Sequence, residues 1–279
     1  MKLARSRSLL DRRVLGAFEL YDAATEERIT APMHLVSERL NFVRNRSGLQ
    51  VIDGLAPEGA EERKLAAHLD SFEKPPTTPG IGSLSFRVAV SDPSGRYVSR
   101  TCSVALPLGQ QVMQPVRVAM YPAASAPLGQ NWAGVRATLL RETADGEAPL
   151  AGARLSLLRE DDDAVLGSGI SDARGEVLAV AVGLPVIDFT TAPPVNGNGI
   201  GNGNGNGPGG PAPAPIGTKK VPAKLRIETG PGRPWPADPD AIETNGQEWV
   251  PVSGDLPSIE LETGSIRTAG LRLLLEPKP

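Results

Sequence analysis

Apolar side chains recur at every second position along much of this chain. Ala153, Leu155 and Leu157 alternate with Arg154 and Ser156, and the runs Val165–Ile170 and Val177–Val182 flank the turn sequence Ser171-Asp172-Ala173-Arg174-Gly175. A period of two sends one face of a strand into a core and the other into water, so these residues predict strands and hairpins. The same pattern appears earlier. Ala17–Tyr21 ends at a turn over Asp22–Thr25, and Leu40–Val43 meets Gly48–Ile52 across Asn45–Gly48. Leu84, Phe86, Val88 and Val90 then lead through Asp92-Pro93-Ser94-Gly95 to Val98, Cys102, Val104 and Leu106. Pro pre-sets the backbone of a type I turn and Gly tolerates its exit. One stretch departs from the rule: Leu65, Leu69 and Phe72 are spaced as on a helix and predict a short amphipathic one over Glu61–Phe72.

The pattern divides the chain into an all-β tandem. Residues 14–107 form a first β-sandwich domain, and 131–277 a second with strands at Val135–Leu139, Lys224–Ile227, Ser258–Leu261 and Leu271–Leu275. Residues 108–130, rich in Pro, Ala and Gln, read as a linker. Its apolar strip Val116–Tyr121 either extends a sheet edge or acts as a connector. Within the second domain lies an insertion, 193–215, built from NGNGIGNGNGNGPGG and PAPAP. Gly and Asn bury too little apolar area to offset ordering, so a long surface loop is expected. Its length is tolerated because closure cost grows only with the logarithm of loop length.

Composition narrows the functional classes. A chain of 279 residues with 40% hydrophobic content can bury two cores, and 4% aromatic content means those cores are aliphatic. The net charge of −3 argues against nucleic acid as partner, since that affinity comes from neutralising phosphates. Residues 1–13 are the exception: Lys2, Arg5, Arg7, Arg12 and Arg13 stand against Asp11 alone and form a basic arm suited to an acidic partner surface. A single Cys cannot make an internal disulfide, the first residues lack an apolar leader, and no run is long enough to span a membrane. The expectation is a chain made in the cytoplasm.

Candidate chemistry is sparse. Two His and one Cys provide no metal-ligand spacing, so neither a metal nor another cofactor is expected. Glu160–Asp163 is the densest acidic run, but it lacks the alternation of a calcium loop and reads as a hairpin tip, with calcium the lesser reading. Gly167-Ser168-Gly169 is the nearest approach to a nucleophile elbow, yet it sits in a predicted hairpin with no helix after it. The residues that remain are surfaces. Trp235, in PGRPWP, and Trp249, at a predicted strand edge, are candidate platforms for a sugar or a protein; with Arg5, Arg7, Arg12 and Arg13 they make up the partner-binding candidates.

The Pro149-Leu150-Ala151-Gly152-Ala153 strand entry and the Asp172-Ala173-Arg174-Gly175 hairpin resemble the carboxypeptidase regulatory-like (transthyretin-like) domain family. That resemblance implies a non-catalytic, seven-stranded Ig-like sandwich that packs against other domains or subunits. Ser83–Val90 with the Asp92–Tyr97 hairpin looks like the N-terminal part of accessory proteins of phage-tail-like contractile injection systems. It implies a structural subunit of a large particle released from the cell. The expectation is therefore a non-enzymatic structural or assembly protein whose partners are other protein subunits. The alternative is a module that binds carbohydrate or a cell surface.

Overall fold

A computed structural model of the chain describes residues 14–70, 82–108, 114–184, 220–267 and 271–278. The class is all-β. The described strands are β1 (Gly16–Asp22), β2 (His34–Val36), β3 (Leu40–Arg44), β4 (Gln50–Leu55), β5 (Leu84–Ser91), β6 (Arg100–Leu106) and β7 (Val116–Met120). They continue with β8 (Trp132–Thr143), β9 (Gly146–Pro149), β10 (Ala153–Arg159), β11 (Val165–Ile170), β12 (Glu176–Val182) and β13 (Val221–Thr229). The last are β14 (Gln247–Pro251), β15 (Ile259–Leu261), β16 (Ile266–Arg267) and β17 (Arg272–Pro277), and two helices accompany them, α1 (Ala60–Asp70) and α2 (Pro239–Asn245).

The first seven strands make two sheets, ordered β3-β4-β1-β7 and β2-β5-β6. Their inward side chains meet in one cluster: Phe18, Leu20, Ile52 and Met120 from one sheet, Phe86, Val88, Cys102 and Val104 from the other. Helix α1 contributes Leu65 and Leu69 to that cluster, as their spacing predicted, while Phe72 lies outside the described residues. The β5–β6 hairpin runs in continuous antiparallel register from Leu84↔Leu106 to Val90↔Arg100. Its turn is organised by the Asp92 carboxylate, which accepts hydrogen bonds from the backbone N–H groups of Ser94, Arg96 and Tyr97. Burial pushes the Asp92 carboxyl up, but those bonds and the Ser94 hydroxyl outweigh it and hold the group below its ordinary range. Of the two roles expected for Val116–Tyr121, the sheet edge is the one observed: β7 lies parallel to β1, from Phe18↔Val116 to Asp22↔Met120. Residues 108–130 thus include a strand of the N-terminal core.

The remaining strands differ from two separate sheets. Hydrogen bonding follows β10-β11-β12-β8-β17-β14-β13, and β13 pairs back onto β10 over seven positions, from Ala153↔Thr229 to Arg159↔Ala223. The result is a closed, seven-stranded barrel with β9, β15 and β16 attached to its members. Long strands make closure possible. Twelve-residue β8 serves antiparallel β12 on one edge and parallel β17 on the other. The interior is filled by alternate residues of each strand: Val135, Ala137 and Leu139; Leu155 and Leu157; Val177 and Ala179; Leu225 and Ile227. Strand β12 is buried on both faces, because its outward Leu178 and Val180 pack under Ala126, Leu128 and Trp132. That double burial explains its nearly unbroken apolar run, Val177–Val182.

The Gly167-Ser168-Gly169 sequence belongs to this wall. A Cβ at position 167 would strike the carbonyl oxygen of Val180, and one at 169 that of Leu178. The glycines are there so that β11 can lie close against β12, and no helix follows them.

Candidate functional site

The segment Gly230–Gly246 leaves the barrel after β13 and lies against β6 of the N-terminal sheets. Its sequence, GPGRPWPADPDAIETNG, explains its shape. Asp238 caps α2, its carboxylate accepting from the N–H groups of Asp240 and Ala241, and Pro239 occupies the first helical turn, where a missing N–H costs nothing. The Trp235–Pro236 peptide bond is cis. Ahead of the helix, Ala237 bridges in parallel to Arg100, and the Thr101 N–H donates to its carbonyl at 2.7 Å. The Thr101 hydroxyl donates to the carbonyls of Pro236 and Ala237 at 3.3 and 3.2 Å. Ile242 of α2 then packs with Val98, Ala237 and the barrel residue Ile170.

At the centre of this seam is Arg100, whose side chain is only 2% exposed. Nε donates to the Thr101 carbonyl at 3.2 Å, Nη1 to the Ala119 carbonyl of β7 at 2.8 Å, and Nη2 to Asp240 Oδ2 at 2.6 Å. Asp238 Oδ1 stands 3.8 Å from the same Nη2. A planar guanidinium with five fixed donors suits such a junction, since it reaches a strand edge, its own backbone and a helix N-terminus together. Beside it the Cys102 thiol is raised to about 11, first by burial and then by Asp240 and Asp238, against a lowering from Arg100. It is a packed apolar group, as its strand parity suggested. A second buried polar pair lies in the N-terminal half: the Tyr97 hydroxyl donates to Asp22 Oδ2 at 2.8 Å. Burial, followed by that bond, pushes the phenol well above its ordinary range.

The seam presents Trp235 on its outside, 40% exposed. Trp249 is different: it is not the exposed platform that its sequence position suggested. It is 3% exposed, it joins the barrel core, and its indole N–H donates to Thr229 Oγ1 at 2.9 Å. On β14 it pairs with Ile227 of β13, so its ring enters the barrel rather than bordering it. The Arg233 guanidinium sits 5.6 Å from the ring centroid. Arg5, Arg7, Arg12 and Arg13, together with the insertion 193–215, lie outside the described residues.

Glu160–Asp163 forms the turn between β10 and β11. Its three aspartates are engaged by cations: Arg159 Nη1 lies 3.0 Å from Asp162, Arg159 Nε 4.0 Å from Asp161, and Lys224 Nζ 3.3 Å from Asp163, while Glu160 Oε2 accepts from the Ser258 hydroxyl at 3.5 Å. Beside this turn a cleft of about 730 Å³ opens in the barrel wall. Among the described residues, no cluster of His, Cys, Asp and Glu is arranged to hold a metal, and no helix is long and apolar enough to cross a membrane.

Arg100, Asp240 and α2 were not anticipated from the sequence. Arg100 carried a signal, because it falls on the inward parity of Val98, Cys102, Val104 and Leu106. A lone cation on an apolar strand face calls for a buried partner. Helix α2 carried one too, in Asp238-Pro239, a capping residue followed by the residue favoured at the first helical position.

No family model matches the chain, and no curated protein does. Among solved structures it is similar to GBS52, the minor pilin of Streptococcus agalactiae, at 9% identity and a TM-score of 0.25, over 85% of this chain and 68% of that one. A likeness of that size carries no argument about fold or function.

Proposed function

We propose that this chain is a non-enzymatic structural or assembly subunit that works through protein–protein contacts. In this reading strands β1–β7 are a sandwich domain and the barrel a second domain, and the pair acts as one spacer in a larger particle. The single observation that carries it is the Arg100 seam. Domains joined by a chain usually move relative to one another, unless the interface between them is large and apolar. Here a buried guanidinium, backbone hydrogen bonds from Thr101 and the apolar contacts of Ile242 tie both halves together. A part that sets distances within an assembly needs that rigidity. The assembly implied by the sequence resemblance is a phage-tail-like contractile injection particle, with synthesis in the cytoplasm and other protein subunits as partners.

The experiment is purification of the particle from the native source with a tagged chain, followed by identification of what co-purifies. Deleting residues 1–13 or 193–215 is expected to abolish incorporation while the purified chain stays folded. Undiminished incorporation of both deletions refutes the reading.

A second reading, a module for carbohydrate or a cell surface, is favoured by one observation. Trp235 is held exposed on a loop anchored through Thr101 and Arg100, which is how a stacking platform is preorganised. Glycan-array binding that disappears on Trp235→Ala would support it, and an array without signal would count against it.

A further inference from the structure

Asp22 ends β1 and opens a turn beside the tip of the β5–β6 hairpin. Its Oδ1 accepts from the N–H groups of Ala24 and Thr25 at 2.8 and 3.3 Å, and its Oδ2 from the Tyr97 hydroxyl at 2.8 Å. Those three bonds fix the carboxylate and leave about one of its four acceptor sites open. A cavity of about 200 Å³ lies here, lined by residues of the turn 22–31, by residues of the hairpin turn 92–97, and by Trp132 at the start of β8. It therefore stands where the N-terminal sheets meet the barrel, and no lining residue borders an undescribed one in the chain.

The lining sets one flat ring among hydrogen-bonding groups of both kinds. Trp132 is seated by close packing: it lies against Ala126, Leu178 and Val180, and a Cβ on Gly129 would come within 2.7 Å of its Cε2. Its indole N–H has no partner among the described residues. Arg96 and Glu27 are both exposed and both line the cavity, yet neither forms an ion pair with any described residue. Arg28 is already held by Glu19 and by the Ser47 carbonyl.

Carboxylates and guanidinium groups thus share one small space, and a simple ion placed there meets like charge beside opposite charge. A zwitterion gains little, because ion pairs with the exposed Arg96 and Glu27 are screened by water. A hydroxyl both donates and accepts, so a ring bearing several of them satisfies carboxylate and guanidinium alike, while its C–H face covers the indole. We propose that this cavity binds a single pyranose ring of a carbohydrate, stacked on Trp132 with its hydroxyls on Arg96, Glu27 and Asp22. The site goes beyond the assembly reading; it shares a ligand class with the second reading but lies apart from Trp235 and does not depend on it.

Saturation-transfer difference NMR of the full-length chain with a panel of neutral hexoses, N-acetylhexosamines and their short oligomers tests this. At least one sugar is expected to bind saturably, with a Kd of about 1 mM or below. Arg96→Ala, Glu27→Gln and Trp132→Phe should each weaken that binding by roughly fivefold or more. The first two should melt like the parent, since both side chains are exposed. Trp235→Ala should bind as the parent does. Absence of transfer to every sugar overturns the proposal, and so does binding that all three cavity variants retain. Sugar binding lost only on Trp235→Ala gives the ligand to the loop of the second reading and also overturns it. Saturable binding of glycine or inorganic phosphate with no response to sugars shows that charge selects the ligand, which overturns it too. Cavity-dependent sugar binding by a chain that co-purifies with no particle would remove the assembly role and leave this site standing.

Discussion

The Arg100 guanidinium on β6 meets the Asp240 carboxylate on α2 at 2.6 Å, across 140 positions of sequence. Arg100 is buried and Asp240 two-thirds exposed, so the two ends of this bond are unequal. Loss of the arginine leaves the Ala119 carbonyl without its donor and a void beneath α2, whereas loss of the carboxylate leaves a group that water can partly replace. Arg100→Ala is therefore expected to cost about 3–5 kcal/mol in urea unfolding. Asp240→Asn should cost about 1 kcal/mol. Equal effects from the two would contradict this account of the seam.

The tryptophans should separate as clearly. Trp249→Ala empties a core position and removes the donor to Thr229, with an expected loss of about 3–5 kcal/mol. Trp235→Ala, at an exposed site, should stay within about 0.5 kcal/mol of the parent. Thermal melts of both variants measure the difference, and a strongly destabilised Trp235→Ala would mean the ring is part of the seam.

Cys102 and Tyr97 make the fold sensitive to alkali. Both have folded pKa values raised by burial above the values of an unfolded chain, about 8.5 and 10. The unfolded state therefore loses these protons first. The stability they contribute is complete below about pH 8.5 and declines as pH climbs towards the folded values. A thiol reagent at pH 8 should label Cys102 slowly in the native chain and rapidly in denaturant. Fast native labelling would show that the seam opens.

Gly169→Ala tests how closely β11 approaches β12. The added methyl meets the Leu178 carbonyl, which is held in the barrel wall, so a loss of about 1–3 kcal/mol or more is expected. Chemical denaturation of this variant beside Gly95→Ala gives the comparison, since a Cβ at position 95 meets nothing and only its φ of +71° opposes the change. A neutral Gly169→Ala would mean that the wall is looser than described.

The alternation of side chains carried much of this fold. It placed Phe86, Val88 and Cys102 in one core and Leu155, Val177 and Ile227 in the other, and it located α1 through Leu65 and Leu69. It could not show which strands meet, because pairing is non-local. The β10–β13 pairing that closes the barrel joins Leu157 to Leu225 across the insertion, and nothing in either strand names the other. Trp249 reads as a strand edge because only a short apolar stretch follows Gln247 and Glu248, yet its side chain points into the barrel core. The seam was hidden for another reason. Its central residue is a cation on an apolar face, which pattern reading passes over unless it asks where the charge finds its partner.

The parallel pairings at the ends of each half bear on mechanics. Strand β1 lies alongside β7, joined over five residue pairs, and β8 lies alongside β17 over four. Tension applied where the chain enters and leaves each half would draw these neighbours lengthwise past one another. Their hydrogen bonds then resist in shear, all at once, instead of parting singly like a zip. A molecule strung under traction would thus yield abruptly at high force, with β1–β7 and β8–β17 as its two fuses.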